Sequence, residues 1–264
     1  MIRLGSTREL ITRPLHFAIQ NSQIDHPFKL INQSLEQNCQ DLLAKKLDVA
    51  AISAIDYARH SNELTVVKDF AVFTTDTSNY ALLFFRENLQ SIERVAFLPP
   101  KSQYQLLANL VLEEFYEMEF DWTPLKEMKS VDGVLSMFPA CLLEGDEALE
   151  NYPKLDSKLD ILEEWHDKTE LNYVHQLIAI NRETDDISFL ESLFLSREIG
   201  MRNLMNIAKK NAADKGGSWD FYFDILNENF QFFPSEETWD SLRQYFEYLF
   251  YYGLIDFIPD IRFS

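Results

Sequence analysis

His175 is the residue whose surroundings most suggest chemistry in this chain of 264 residues. It lies within residues 173–180, an apolar run of aromatic and β-branched residues without Gly or Pro, which predicts a strand. Alternation along a strand puts Tyr173, His175 and Leu177 on one face. Facing a cleft, His175 would be a general acid or base, or a donor to a carboxylate. Packed inside, it would be a hydrogen-bonded core histidine, and the sequence leaves both interpretations open.

Ser102 stands where anion binding is expected. Residues 94–98 predict a strand, and residues 105–116 (QLLANLVLEEFY) predict a helix that follows it. Free backbone N–H groups and the helix dipole at such an N-terminus favour a carboxylate, whereas the alternative is an ordinary helix cap. Acidic pairs such as Glu163 and Glu164 are more typical of a solvated helix face than of a catalytic pair.

Other catalytic and metal-binding patterns are absent from the sequence. It contains no GxGxxG, P-loop, HExxH or GxSxG pattern. The two cysteines, Cys39 and Cys141, belong to no CxxC pair or Cys/His cluster, so a structural zinc site is not expected.

Composition narrows the class of partner. The chain carries 24 Lys and Arg against 43 Asp and Glu, a formal charge of −19, which argues against general nucleic-acid binding and against an anionic membrane surface. Its N-terminus lacks the apolar core of a signal peptide, and no apolar run reaches the length of a membrane span. We therefore expect a cytoplasmic protein that binds something small.

The elements that must position these residues alternate between strand and helix. Strands are predicted at residues 2–4, 28–31, 47–52 and 64–73. Thr12 is placed to cap a helix with Pro14 in its first turn, Ser34 or Asn32 to begin a second, and Ser53 to begin a third. This alternation predicts an α/β fold with a mainly parallel sheet, in which ligands bind at the carboxyl ends of the strands.

The later elements follow the same logic. Residues 80–85 (YALLFF) predict a strand that makes the first crossing between two lobes, and residues 131–137 predict another strand. Residues 161–169 predict a short acidic helix, and residues 173–180 then make the second crossing. Beyond it the chain is helical, with one long helix at 187–210, a shorter one at 219–227 and a last one at 235–252 that stops at Gly253.

Several segments together resemble one family, the chorismate dehydratases of the futalosine route to menaquinone. Residues 12–15 (TRPL) resemble that family's Asn-Thr-Arg-Pro-Leu segment, and residues 47–59 (LDVAAI…IDYAR) resemble its DVALI…IEYAR segment. Residues 145–149 (GDEAL) match its GDxAL turn, and residues 160–174 resemble its DLGEEW…TGLPFV stretch. Residues 82–84, 196–200 and 253–255 also fall where the family has similar residues, so the resemblance covers essentially the whole chain.

The resemblance implies a two-lobed periplasmic-binding-protein-like fold of type II, with two crossing strands and a helical C-terminal part. Lobe 1 would be built from residues 1–80 and 174–264, and lobe 2 from residues 81–173. The implied activity is that of a lyase, converting chorismate to 3-[(1-carboxyvinyl)oxy]benzoate without metal or organic cofactor. The resemblance implies that the substrate's own enolpyruvyl carboxylate would be the base. The ligand would be a small anionic aromatic precursor. The usual assembly in that family would be a homodimer.

The chain departs from that family at positions expected to touch the substrate. Ile11 replaces the Asn before Thr-Arg-Pro-Leu, Tyr80 with Asn79 replaces a Ser at the start of the crossing strand, and Tyr173-Val174-His175 replaces an apolar triplet. The Ser-rich anion loop of the family is replaced by residues 100–104 (PKSQY).

Two interpretations remain. In a rebuilt site, catalytic residues are Asn79, Tyr80 and His175. Substrate-binding residues are then Thr12, Arg13, Ser53, Lys101, Ser102, Gln103, Gly145, Asp146 and Tyr173. In the alternative, the protein is the sister enzyme of the route that forms dihydroxynaphthoate, or a non-catalytic protein that binds a small acid.

Overall fold

The computed structural model describes residues 1–86, 88–98, 102–127 and 130–264, and it divides into two compact units. Unit one comprises Met1–Thr75 and Leu171–Ser264, and unit two comprises Asp76–Glu170. The chain passes from one unit to the other next to the two predicted crossing strands, just before residues 81–85 and just before residues 173–181.

Unit one contains a six-stranded sheet in the order β11-β4-β10-β3-β1-β2. Its strands are β1 (Ile2–Ser6), β2 (Phe28–Asn32), β3 (Val49–Ile52), β4 (Leu64–Thr74), β10 (Tyr173–Asn181) and β11 (Phe230–Gln231). Its helices are α1 (Arg13–Gln20), α2 (Leu35–Leu43), α3 (Ala54–Arg59), α8 (Leu190–Met201), α9 (Leu204–Lys215), α10 (Trp219–Asp224) and α11 (Glu236–Tyr251). A π-helical turn, Ile225–Asn229, follows α10, so the C-terminal part is helical as predicted.

Unit two contains a five-stranded sheet in the order β7-β6-β8-β5-β9. Its strands are β5 (Ala81–Phe85), β6 (Arg94–Phe97), β7 (Asp121–Pro124), β8 (Ala140–Glu144) and β9 (Lys158–Asp160). Its helices are α4 (Gln103–Tyr116), α5 (Val131–Leu135), α6 (Gly145–Asn151) and α7 (Ile161–Thr169). A buried core cluster joins Leu82, Phe84 and Leu143 of the strands to Val131 and Val134 of α5.

The expectation of mainly parallel sheets is wrong, because both sheets are mixed. Parallel pairing joins β1 to β2 and β3, and β6 to β7 and β8. The strands next to the points where the chain changes unit run the other way: β10 is antiparallel to β3 and β4, and β5 is antiparallel to β8 and β9.

Two further predictions need correction. The strand predicted at residues 131–137 is wrong: residues 131–135 form helix α5 and a turn follows. Ser130 Oγ accepts a hydrogen bond from Gly133 N (3.1 Å) and starts a helical turn that buries Val131, Val134 and Leu135. The single helix expected at 187–210 is two helices. The Asn203 side chain donates to the carbonyl of Ile199 (2.8 Å) and so closes the end of α8 before α9 begins.

Candidate functional site

The carboxyl ends of β1, β2, β3 and β4 lie at one edge of the unit-one sheet, where β10 begins. Pairing aligns Ser6 at the end of β1 with Asn32, and Ile52 at the end of β3 with Leu177. Thr74 ends β4 opposite Tyr173, the first residue of β10. Open α/β sheets bind ligands at such edges, in the loops and helices that follow the strands.

Gln176 organises a buried polar network at this edge, and sequence analysis missed it. Its side chain is 1% exposed, accepts a hydrogen bond from Thr12 Oγ1 (2.9 Å) and donates one to Glu9 Oε2 (2.9 Å). Thr12 Oγ1 is also 2.7 Å from Thr7 Oγ1. The predicted capping role of Thr12 is therefore wrong: it occupies the N-cap position of α1, but its hydroxyl makes no cap bond.

His175 is fully buried in the core of unit one. Its Nε2 lies 3.1 Å from Thr74 Oγ1, and its ring packs against Tyr173 and Phe230, with centroids 5.0 and 4.8 Å away. Burial lowers the pKa of His175 to about 3, so the ring is neutral at neutral pH. These surroundings favour the core interpretation over the catalytic one, and Tyr173 is buried beside it at 1% exposure.

Ser53 serves its own helix. Its Oγ accepts from Asp56 N (3.1 Å) and donates to Asp56 Oδ2 (2.6 Å), which caps α3. The hydroxyl is buried and engaged locally, so its predicted contact with a substrate has no support in this geometry.

Arg13 lines a pocket of about 360 Å³ that belongs wholly to unit one. Arg8 and Lys210 line the same pocket. The Nε and Nη2 atoms of Arg13 both donate to the backbone carbonyl of Arg8, at 3.3 Å each.

The corresponding edge of the unit-two sheet brings several predicted residues together. Strands β6, β8 and β9 end at this edge and β5 begins there, since Ala81 pairs with Glu144 and Leu82 with Asp160. Tyr80 is fully buried; its carbonyl accepts from Gly145 N (2.8 Å) and its ring packs edge-on against Tyr104, centroids 5.9 Å apart. Gly145 has a φ of 64°, which a residue with a side chain rarely adopts.

Ser102 is the N-cap of α4 and meets an acidic side chain. Its Oγ accepts from the backbone N–H groups of Tyr104 and Gln105 (both 3.1 Å) and donates to Glu144 Oε1 at 2.5 Å. The helix start predicted to receive a ligand carboxylate thus already faces a carboxyl group of the protein. Gln103 is buried in the first turn of α4, Asp146 is half-buried in the first turn of α6, and Lys101 lies outside the described residues.

Glu144 has the electrostatics of a proton-transfer group, and sequence analysis missed it too. It is half-buried at the end of β8, and burial is the main reason that its pKa is raised to about 7. The negative charge of Glu147 raises this pKa further, while the hydrogen bond from Ser102 lowers it. The residue stands directly before Gly-Asp-Glu-Ala-Leu, and its partial burial against Ser102, which the sequence does not show, sets it apart from an exposed acidic residue.

Asp160 fixes the segment that carries Asn79. Its carboxylate accepts from the backbone N–H groups of Asn79 (2.6 Å), Ser78 (2.7 Å) and Leu162 (3.0 Å), and from Thr77 Oγ1 (2.9 Å). Asn79 has a φ of 57°, an uncommon conformation for a residue other than glycine. Asparagine tolerates this conformation in turns, and Asp160 fixes it just before β5.

The parts of the chain that the structure describes contain no candidate metal-binding cluster. No group of three or more His, Cys, Asp or Glu side chains there is arranged to hold a metal ion. Glu144 and Ser102 at the unit-two edge can take part in proton transfer and hydrogen bonding.

A sequence profile described as menaquinone biosynthesis matches residues 2–251. The chain belongs to this menaquinone-biosynthesis family. Among curated proteins, none is similar enough to count as a relative. The candidate residues of both sheet edges all lie within the range that the family profile covers.

Solved structures confirm the fold of this family member. Protein AF1704 from Archaeoglobus fulgidus has 17% identity and a TM-score of 0.78, covering 96% of this chain and 98% of that one. The periplasmic aliphatic sulphonate binding protein SsuA from Escherichia coli has 12% identity and a TM-score of 0.69, covering 98% and 95%. The Xanthomonas axonopodis alkanesulfonate-binding protein SsuA, bound to MOPS, has 13% identity and a TM-score of 0.66, covering 99% and 95%. The predicted α/β fold of the periplasmic-binding-protein type is thus confirmed.

Within residues 1–86, 88–98, 102–127 and 130–264, no helix of the family member has the length and apolar character needed to cross a bilayer.

Proposed function

We propose that this protein is a lyase of menaquinone biosynthesis that removes water from chorismate to form 3-[(1-carboxyvinyl)oxy]benzoate. Family membership supports a role in the pathway. The Thr-Arg-Pro-Leu and Gly-Asp-Glu-Ala-Leu segments support the dehydratase branch in particular. The observation that carries the proposal is the carboxyl group of Glu144, held at the end of β8 by Ser102 beside Tyr80 and Gly145.

The reaction needs one proton removed and one supplied. The C–H bond at the ring carbon that bears the enolpyruvyl ether breaks, and its electron pair forms the third double bond of the ring. Hydroxide leaves from the neighbouring carbon and departs as water after taking up a proton. Aromatisation drives the step, so the protein has to hold the dianion in the reactive conformation and assist the leaving group.

Glu144 is the group we assign to the leaving hydroxyl. With a pKa raised to about 7, it is protonated in a large fraction of molecules at neutral pH, whereas an exposed glutamate is almost fully ionised. The Ser102 hydroxyl fixes its orientation through the 2.5 Å bond. The proton that the substrate's own carboxylate removes balances the one that Glu144 gives, and exchange with water restores the acid.

Substrate contacts are assigned to the same edge of unit two. Asn79 is held by Asp160, Gln103 begins α4, and Asp146 lies in the first turn of α6 directly after Glu144. Lys101 is assigned to the substrate from the sequence alone. On unit one, the hydroxyls of Thr12 and Ser53 are engaged internally and Arg13 lines its own pocket. Tyr173 and His175 are buried at the start of β10, so we assign them to core packing and not to substrate contact.

Binding without turnover is the second candidate function. Ile11 favours it, because this fully buried aliphatic residue stands where the dehydratase family has an amide near the reacting centre. The sister reaction that forms dihydroxynaphthoate loses its main support, since the histidine expected as its base is buried in the core and neutral.

The decisive experiment measures melting temperature with and without chorismate, followed by chorismate consumption in the same samples with EDTA present. The proposal predicts a raised melting temperature and formation of the benzoate product. Glu144→Gln should then lower turnover about 100-fold or more, in the range typical of general acid catalysis, while Glu119→Gln, at an exposed position of unit two, should not.

A stabilising effect of chorismate without product would replace the lyase proposal with the binding function. If chorismate neither raises the melting temperature nor is consumed, both the lyase proposal and the binding function are refuted. A homodimer and a cytoplasmic location stay predictions that sedimentation and cell fractionation would address.

A further inference from the structure

We infer that the pocket of unit one beside α1 and α9 binds a small organic polyanion, one that bears a phosphate or several carboxylates, through Arg8, Arg13 and Lys210. This inference does not depend on the proposed lyase activity. It rests on residues of unit one alone.

The concentration of positive charge at this pocket runs against the rest of the chain. The sequence has 24 Lys and Arg against 43 Asp and Glu, yet three cations line one pocket of about 360 Å³. Among the described residues, none of these three cations has a carboxylate partner, whereas Arg3, Lys45 and Arg86 pair with acids. Positive charge that the fold does not pair internally can neutralise an anionic ligand.

Arg13 is oriented before any ligand arrives. Its Nε and Nη2 both donate to the carbonyl of Arg8, which fixes the plane of the guanidinium and leaves further N–H groups for a ligand. Because a guanidinium presents paired donors, it matches the geometry of phosphate or carboxylate oxygens.

His16 is buried in the wall of the pocket, and the positive charge of Arg13 contributes to lowering its pKa. Its Nδ1 is 3.1 Å from Ser6 Oγ. Burial is the main cause that lowers the pKa of His16 to about 4, and the charge of Arg13 is the second cause. The imidazole is therefore neutral at neutral pH, and the positive potential of the pocket comes from the two arginines and the lysine.

The remaining walls point to an organic ligand of limited size. Phe17 and Ile207 give the pocket an apolar side, and Asp214 is the acidic residue among its lining. An apolar wall facing cationic side chains suits a molecule with a ring or short chain attached to the anionic group. The concave shape and a net charge of −19 disfavour a nucleic acid or an acidic protein surface as the occupant.

Calorimetric titration of the full chain with phenyl phosphate, with no chorismate present, tests the inference. Benzene-1,3-dicarboxylate and inorganic phosphate are the comparison ligands: the first distinguishes carboxylates from phosphate, and the second measures the contribution of the apolar wall. We expect saturable binding of at least one ring-bearing anion, weakened by added salt. Neutral phenol should not bind.

Variants locate the site. Arg8→Ala and Lys210→Ala should each weaken binding about fivefold or more, and Asp214→Asn should strengthen it about twofold. Lys209→Ala is the matched control, because Lys209 precedes Lys210 on α9 but lies over the ring of Trp219 at 5.0 Å. Absence of binding at millimolar concentrations, or equal losses in Lys209→Ala and Lys210→Ala, would overturn the inference. Circular dichroism of each variant separates loss of the site from loss of the fold.

Discussion

At the scale of single residues, Glu144 is an acidic side chain whose pKa is raised to about 7 by the fold. The sequence offers many glutamates, and the fold buries the side chain of this one against the hydroxyl of Ser102. Burial penalises its charged form, and this penalty makes the stability of the fold depend on pH.

The stability of a Glu144→Gln variant should therefore depend on pH differently from that of the wild type. The folded pKa, about 7, lies above the unfolded value near 4.5, so the wild type loses stability as pH rises between these two values. The amide does not titrate. Relative to wild type, the variant should gain about 1–3 kcal/mol in unfolding free energy between pH 5 and pH 8. Urea unfolding at both pH values measures this, and a constant difference would mean that Glu144 titrates normally.

At the scale of elements, Asp160 joins the start of α7 to the turn that precedes β5. It caps α7 through Leu162 N and holds three consecutive residues, Thr77, Ser78 and Asn79. The carboxylate thus sets where β5 begins, and with it the position of Tyr80 next to Gly145.

Removing that carboxylate should be costly. Asp160→Ala leaves several buried donors without an acceptor, which predicts a loss of about 3–5 kcal/mol in unfolding free energy. Asp156→Ala, on an exposed residue before β9, should change it by less than about 0.5 kcal/mol. Chemical denaturation compares the two, and similar small losses would show that other acceptors replace Asp160.

Close packing between α8 and α1 gives a second element-scale prediction. A Cβ at Gly200 would lie 1.9 Å from the backbone oxygen of Pro14, so a larger residue forces the helices apart. Gly200→Ala should destabilise the protein by about 1–3 kcal/mol, measured as a fall in melting temperature. Leu195→Ala, at an exposed position of α8, is the control, and equal shifts would contradict a specific helix contact.

Local patterns in the sequence were sufficient for most elements. Serine caps at Ser34, Ser53, Ser102 and Ser235 and the apolar runs placed most helices and the strands β1 to β6 and β10. The strands β7, β8, β9 and β11 were not predicted. The error at residues 131–137 was avoidable, because Val131, Val134 and Leu135 have helical spacing. The antiparallel pairing of β5 with β8 and of β10 with β3 was not predictable, because strand direction depends on partners distant in sequence.

The candidate site was less accessible to sequence reasoning than the fold. Tyr80, Ser102 and Gly145 are brought to one sheet edge as expected from the strand ends that precede or follow them. Glu144, Asp160 and Gln176 were missed because burial and long-range hydrogen bonds, rather than residue type, distinguish them.

At the scale of the whole molecule, the charge of −19 is the dominant electrostatic property. Described ion pairs such as Arg3–Asp48 and Lys45–Glu183 are partly or largely exposed and contribute little individually. Unpaired acidic groups repel one another more in the compact state than in the extended chain.

Added salt should accordingly stabilise the protein. Raising NaCl from about 0.01 M to 0.15 M shortens the screening length from about 30 Å to 8 Å. The melting temperature should rise near neutral pH, and the rise should be smaller near pH 5, close to the sequence pI of about 4.6. Scanning calorimetry at both pH values measures this, and a fall in melting temperature with salt would show that attractive pairs dominate.

The two buried cysteines make the native protein a convenient background for site-directed labelling. Cys39 lies in unit one and Cys141 in unit two, and burial raises the pKa of each thiol to about 12. Maleimides react with the thiolate, which is scarce at both positions at neutral pH. A fluorophore pair attached to one introduced surface cysteine per unit would therefore report, by energy transfer in the otherwise unaltered chain, whether chorismate changes the spacing of the two halves.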